Sequence, residues 1–387
     1  MSDFPRVKPI EPPPQLHNCN YPRSFPTNAP IGTVLQNLVA GGADPSSFHL
    51  DTQQSMGGGV GKGENHAQGI ARTHQLSNGE VYWFLAYSEI GGEGQISTYV
   101  YDGKVVDAHI VSPEPGKALT VAPMQQRWLN LVGEDHPSDI AFLPDINNAD
   151  AGYLFITEEY QLHQVTVYYW KAGAETLQPV GVIGGFPRDT KAGFTGPQFV
   201  FIDLVGDTYY LGIASENWGW GRLFEAEPSV LFPNCSQGGI DVGAFHPVPQ
   251  VQIASRPVAG SVNLTPPQLD GLFVFPILGS PSQVKLVCDS ANHWYLLAFR
   301  SVPNDSPNGT DYIDAYPVKF QPFSISSPNQ PSIHITFPPG DTSFASTGTH
   351  YVNSKGQLMV STSFRWAEEI SSSGVGYVSR VDELLAL

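Results

Sequence analysis

The sequence predicts an all-β chain in which short strands recur in repeated units, and three observations carry this reading. Apolar runs rich in Val, Ile, Tyr, Phe and Thr either alternate with polar residues or stay continuous only briefly, as strands on a pleated surface do. They are cut at short intervals by Gly, Pro, Asn or Asp, and the 387 residues include 39 Gly and 34 Pro. A long amphipathic helical period is absent from the sequence. The hydrophobic fraction of 41% is enough for a core divided over several units.

In chain order, residues 1–30 form a proline-rich arm containing Pro12-Pro13-Pro14, which cannot build a core and is expected to be mobile or to lie extended on the surface. Residues 31–39 read as one strand-like run without a partner nearby. The first unit, 63–112, starts with a Gly-rich polar loop holding Glu64 and His66. Its strands are expected near 69–73, 81–88, 95–101 and 105–111, with Ser77-Asn78-Gly79 as the first turn. The second unit starts at His136-Pro137-Ser138-Asp139, with strands over 135–143, 152–158, 164–170 and 179–183. The third has strands over 196–202, 208–216, 221–227 and, past a long loop, 250–254. The fourth is placed at 283–289, 293–300, 311–320 and 332–337, with 272–277 as an insertion or an alternative inner strand. The fifth has only three strands, at 349–352, 356–363 and 375–381.

Four units of four strands, a fifth of three and an unpartnered run at 31–39 are complementary. Radial arrays of four-stranded sheets remove an exposed edge when one terminus lends a strand to the sheet formed by the other. In this layout the chain resembles a β-propeller over about residues 31–387. The resemblance implies five four-stranded blades, or six if 256–290 contains a degenerate one, closed by the N-terminal strand completing the last blade. It rests on repeat layout, since neither a WD nor a kelch signature is present. The implied organisation is an arm over 1–30 and a single propeller domain over 31–387.

Nineteen Lys and Arg against 36 Asp and Glu give a formal charge of −17, a field that repels nucleic-acid phosphates and anionic membranes. The expected partner is a small-molecule or carbohydrate ligand, with no nucleic acid and no membrane, and the chain is expected to act as a monomer. No apolar run is long enough to span a bilayer, and Met1-Ser2-Asp3-Phe4-Pro5 lacks a signal-peptide layout, so a cytoplasmic location is expected. Cys19, Cys235 and Cys288 are far apart and in no CxxC spacing, so free thiols are expected and neither a disulfide framework nor a zinc knuckle. The sequons at Asn234, Asn263 and Asn308 are then chance matches.

In a propeller, the loop into the innermost strand and the loop from second to third strand open on one face around the channel. With the units in register, the first kind of loop carries His66, His136 and His350. The second strands end at Glu89, Glu158, Glu216, Arg300 and Arg365. One reading converges the three histidines on a divalent metal or iron, with the glutamates behind them. The competing structural reading has His136 merely capping a turn. A second reading drops the metal: His66 or His136 exchanges a proton beside a glutamate, and Arg300 and Arg365 hold an anionic oxygen, unless these charges only pair with one another. A third is glycoside hydrolysis, which uses paired carboxylates, with Glu64, Asp139, Glu158 and Glu216 as candidates. Asp139 is equally explained as a turn residue. Trp218, Trp220 and Trp366 fall in loops where indoles could wall a sugar or apolar ring, whereas Trp83, Trp170 and Trp294 fall in strands and are expected to pack.

Asp145–Gly152 lacks the distal glutamate of a calcium loop and reads as a hairpin turn, and the glycine run 57–63 precedes a strand, unlike a P-loop. No nucleotide-cofactor motif is present. The expectation is therefore an enzyme acting on a small, partly apolar organic molecule by acid–base or metal-assisted chemistry, as a lyase, isomerase, cyclase or hydrolase. The alternatives are a lectin-like binding propeller and a five-bladed glycosidase.

Overall fold

The computed structural model describes residues 19–40, 47–54, 66–88, 94–103, 119–121, 124–131, 136–158, 164–184, 198–214, 220–249, 270–274, 281, 283–302, 310–328, 332–335, 347–363 and 377–385. After helix α1 (Ile31–Ala40) and strand β1 (Ser47–Gln54), the chain forms strands grouped in five sheets. The first sheet orders β2 (His66–Arg72), β3 (Glu80–Ser88), β4 (Gln95–Asp102) and β6 (Gln125–Asn130), while β5 (Leu119–Val121) joins another sheet. The second is a meander of β7 (Pro137–Pro144), β8 (Ala151–Glu158), β9 (Gln164–Lys171) and β10 (Gln178–Gly184).

The third sheet runs β11 (Phe199–Val205), β12 (Thr208–Ala214) and β13 (Trp220–Ala226), and both β14 (His246–Pro247) and β15 (Leu272–Val274) pair with β13. A short helix α2 (Pro228–Leu231) follows β13. In the fourth, β16 (Gln283–Cys288), β17 (Trp294–Val302) and β18 (Thr310–Phe320) are followed by β19 (Phe323–Ile325) and β20 (Ile333–Ile335), each paired with β18. The fifth orders β21 (Thr349–Val352), β22 (Leu358–Ser363), β23 (Tyr377–Leu385), β1 and β5.

The first strand of each sheet is innermost. β2 packs on β7, β7 on β11, β11 on β16, β16 on β21 and β21 on β2, which is the arrangement of a β-propeller around a channel. The inner strands approach closely: a Cβ on Gly69 would stand 2.6 Å from the Asp139 Cα and 2.9 Å from the Ser138 carbonyl oxygen, so only glycine fits there. Second strands lie between neighbouring sheets, and β8 is buried along its whole length. Aromatic side chains fill the seams. Trp170 of the second sheet meets Tyr82 and Phe84 of the first at 4.8 and 5.0 Å, and Tyr210 of the third meets Phe320 of the fourth at 4.4 Å.

Several expectations are corrected. Residues 31–39 are not the closing strand: they lie in α1, where Ile31, Val34, Leu35 and Leu38, at helical spacing, are at most 2% exposed and pack with Leu297 and Val360. The N-terminal strand in the fifth sheet is instead β1, antiparallel to β23 from Ser47↔Leu384 to Gln54↔Tyr377. The outer strand of the first sheet is β6, and the proposed strand at 105–111 lies outside the described residues, as does 250–254. Leu272–Val274 is an outer strand on β13 and not an inner one.

Cys19 and Cys235 are joined in a disulfide, against the expected free thiols, and only Cys288 is a free cysteine. A sequence separation of 216 leaves no spacing signal to read. The bond anchors an extended strap. Tyr209 Oη donates to the Pro22 carbonyl at 2.6 Å, Ser24 N to Asp203 Oδ1 at 3.1 Å, Thr27 N to the Cys288 carbonyl at 2.9 Å and Asn28 N to the Gly356 carbonyl at 2.7 Å. Residues 19–28 thus cross from the third sheet past the fourth to the fifth. Among the described residues, no helix is long and apolar enough to cross a membrane.

Candidate functional site

The two faces of the ring differ in their chemistry. At the leading face, where inner strands begin and second strands end, polar side chains are buried in a belt: Asp139, Thr157, Glu158, Gln283, Thr347 and Thr362 are all 2% exposed or less. Burying such groups costs free energy unless each finds a partner, and the belt is cross-linked accordingly. Asp139 N donates to Thr157 Oγ1 at 3.1 Å, Gln283 Nε2 to the Gln68 carbonyl at 2.5 Å and Thr362 Oγ1 to the Thr347 carbonyl at 2.9 Å. Both β2 and β7 carry a register shift at this end, between Ala67 and Gly69 and between Pro137 and Asp139. Such bulges re-aim side chains at the rims of channels.

Deeper in the channel lies an ion pair. Lys285 Nζ, on β16, donates to Asp139 Oδ1 and Oδ2 at 2.7 and 2.6 Å and to the carbonyls of Ile140 and Val200 at 2.9 and 3.2 Å. Asp139 also accepts from Ile140 N at 2.8 Å and Val200 N at 2.9 Å, so its carboxylate bridges the second, third and fourth sheets. Burial raises the Asp139 carboxyl to about 6, against the opposing pull of Lys285, and burial lowers Lys285. His350 sits on β21 beside this pair. Burial, reinforced by the charge of Lys285, holds its imidazole down at about 3, so the ring is neutral. Arg72, at the end of β2, is stacked by the rings of Trp83 and Tyr351, 4.5 and 4.1 Å from their centroids.

Toward the trailing face, where inner strands end, a cavity of about 590 Å³ opens beneath Lys285 and His350. The strap over 20–25 lies along it, together with the β7–β8 hairpin. That hairpin closes on itself as a polar turn: Asp145 Oδ1 accepts from Asn147 N at 2.8 Å.

The sequence candidates are distributed as follows. Glu64, Glu89, Glu216, Trp218, Arg365 and Trp366 lie outside the described residues. His66 is the first residue of β2 and pairs with Ser88, and Trp220 is the first of β13 and pairs with Val274. His136, partly buried, directly precedes β7, and Glu158 ends β8 opposite Pro137 in register. Both therefore fall at the leading face. Asp139 is committed to Lys285, and Arg300 Nε donates to Asp314 Oδ2 at 3.0 Å. His350 lines the trailing cavity with Lys285. Among the described residues, no group of three or more His, Cys, Asp or Glu is placed to hold a metal ion.

Lys285 and Asp203 are the site residues missed from sequence. Lys285 did leave a signal: a cation inside the strand Gln283–Cys288, flanked by Val284 and Leu286, requires a buried anion.

No protein-family model matches the chain, and no curated protein matches it. Among solved structures, it is similar to an α-L-arabinofuranosidase from Podospora anserina in complex with cellotriose. The identity is 10%, 88% of this chain and 98% of that chain are covered, and the TM-score is 0.44. A family 32 β-fructofuranosidase from Bombyx mori matches at 11% identity over 83% of this chain and 62% of its own, with a TM-score of 0.45. A family 117 glycoside hydrolase from Zobellia galactanivorans matches at 12% identity over 88% and 92%, with a TM-score of 0.40. At these identities and TM-scores, the likenesses assign no activity to this chain.

Proposed function

We propose that the chain is a five-bladed propeller enzyme that hydrolyses a small, hydroxyl-bearing organic molecule at the leading mouth of its channel, with Glu158 as the proton-transferring group and His136 beside it. The inner strands adjoining in a ring of five, and the pairing of β1 with β23, support one blade per sheet. The observation that carries the functional reading is the buried polar belt. A channel mouth needed only for packing would be lined with apolar side chains, as the seams are; here Glu158, 1% exposed, ends its strand at the level of that belt. A carboxyl group at that position is placed to exchange a proton with a substrate at the mouth. His66, at the start of β2, belongs to the same face, and we assign it to substrate contact.

The test is hydrolysis of panels of 4-nitrophenyl glycosides and esters. Glu158→Gln should lower kcat by about 100-fold or more with the melting temperature preserved. Unchanged turnover in this variant refutes the assignment.

A further inference from the structure

A second site lies at the opposite end of the channel. The cavity of about 590 Å³ is within the size range of small-molecule pockets, roughly 300–1,000 Å³, and is separated from the leading face by the Asp139–Lys285 pair. Among the residues lining it are Asp203 and His350, whose Oδ2 and Nδ1 are buried with no hydrogen-bond partner. Asp203 is 2% exposed, and its other oxygen is occupied by Ser24 N at 3.1 Å and Leu204 N at 2.8 Å. Buried polar atoms rarely stay unsatisfied, because each costs the full desolvation of the group.

Charge selects the occupant. Arg23, Arg72 and Lys285 line the cavity together with Asp145 and Asp203, and Asp139 lies directly behind Lys285. An anion would meet the two carboxylates and the net charge of −17, and a cation would meet three basic side chains. What fits is a neutral molecule rich in hydroxyls, able to donate to Asp203 Oδ2 and to donate to or accept from His350 Nδ1. We propose that this trailing cavity is a binding site for a neutral sugar or polyol, held by Asp203 and His350 under the strap of residues 20–25, and distinct from the leading-face site. The depressed basicity of His350 is consistent with a neutral partner, since a protonated ring would add a further positive charge beside Lys285.

The test is calorimetric titration of the whole protein with D-glucose and with sucrose. Asp203→Asn keeps the shape and an oxygen for Ser24 N but replaces the free acceptor with a donor. It should weaken binding of the sugar taken by at least about tenfold, whereas Glu158→Gln should leave that affinity unchanged. Hydrogen exchange on the unaltered protein provides a readout independent of any variant: the bound sugar should slow exchange in residues 20–25 and 201–203. Binding lost in Glu158→Gln and kept in Asp203→Asn places the sugar on the leading face and overturns the proposal, as does the absence of saturable binding of either sugar.

Discussion

Replacing Lys285 with Met tests how the channel is held together. The substitution removes the ammonium that satisfies both oxygens of Asp139 and the carbonyls of Ile140 and Val200, and leaves a fully buried carboxylate with only two backbone N–H donors. Breaking one half of a buried pair costs about 3–5 kcal/mol, much more than deleting both halves. The loss should therefore depend on pH with a defined sign. Asp139 is already raised to about 6 in the fold, and without Lys285 it rises further. An unfolded carboxyl ionises near 4, so above that pH the folded state holds a proton the unfolded state has released. Stability then falls as pH rises, and the deficit of Lys285→Met relative to the unaltered protein widens past pH 6. Urea unfolding followed by tryptophan fluorescence at pH 5 and pH 8 measures it. The double variant Asp139→Asn/Lys285→Met should recover most of the loss. A deficit under about 1 kcal/mol, or one equal at the two pH values, would refute a charged pair at this position.

Two further outcomes follow from packing and covalent chemistry. Gly69→Ala would drive a methyl group into the Asp139 backbone at 2.6 Å and should cost about 1–3 kcal/mol, whereas Gly184→Ala, with open space around it, should be near neutral; equal melting temperatures would contradict the close approach of β2 and β7. Cys235→Ser should destabilise the protein by about 2–5 kcal/mol and should match the effect of a reductant on the unaltered chain. Identical melting with and without reductant, together with free thiols by mass spectrometry, would refute the bond.

The strands were legible because their signals are local. The run Val81–Ser88 following Ser77-Asn78-Gly79 needs only its own residues to read as the second arm of a hairpin, and Gly79 does adopt the positive φ, 87°, that such a turn demands. Residues 31–39 read as a strand in the sequence because β-branched and γ-branched apolar residues in a short run satisfy a strand pattern. The spacing of Ile31, Val34, Leu35 and Leu38, and the Pro30 carbonyl accepting from Thr33 N and Val34 N, belong to a helix. The disulfide and the Asp139–Lys285 pair were illegible for a different reason. Their partners lie on different sheets, and only the ring geometry brings them together. The leading-face belt is illegible in the sequence because its depth depends on residues such as Thr157 and Thr362 that carry no chemical signature of their own.

The pairing of β1 with β23 also governs when the molecule can be assembled. The fifth sheet joins segments from opposite ends of the sequence, so during synthesis the first four sheets emerge with β1 unpaired along one edge until β23 is made. Closure is a long-range event of high loop-closure cost, and it should be slow relative to the hairpins within each sheet. Until then β1 is an open template for strands of other chains, so the interval before ring closure is when this protein is most exposed to misassembly.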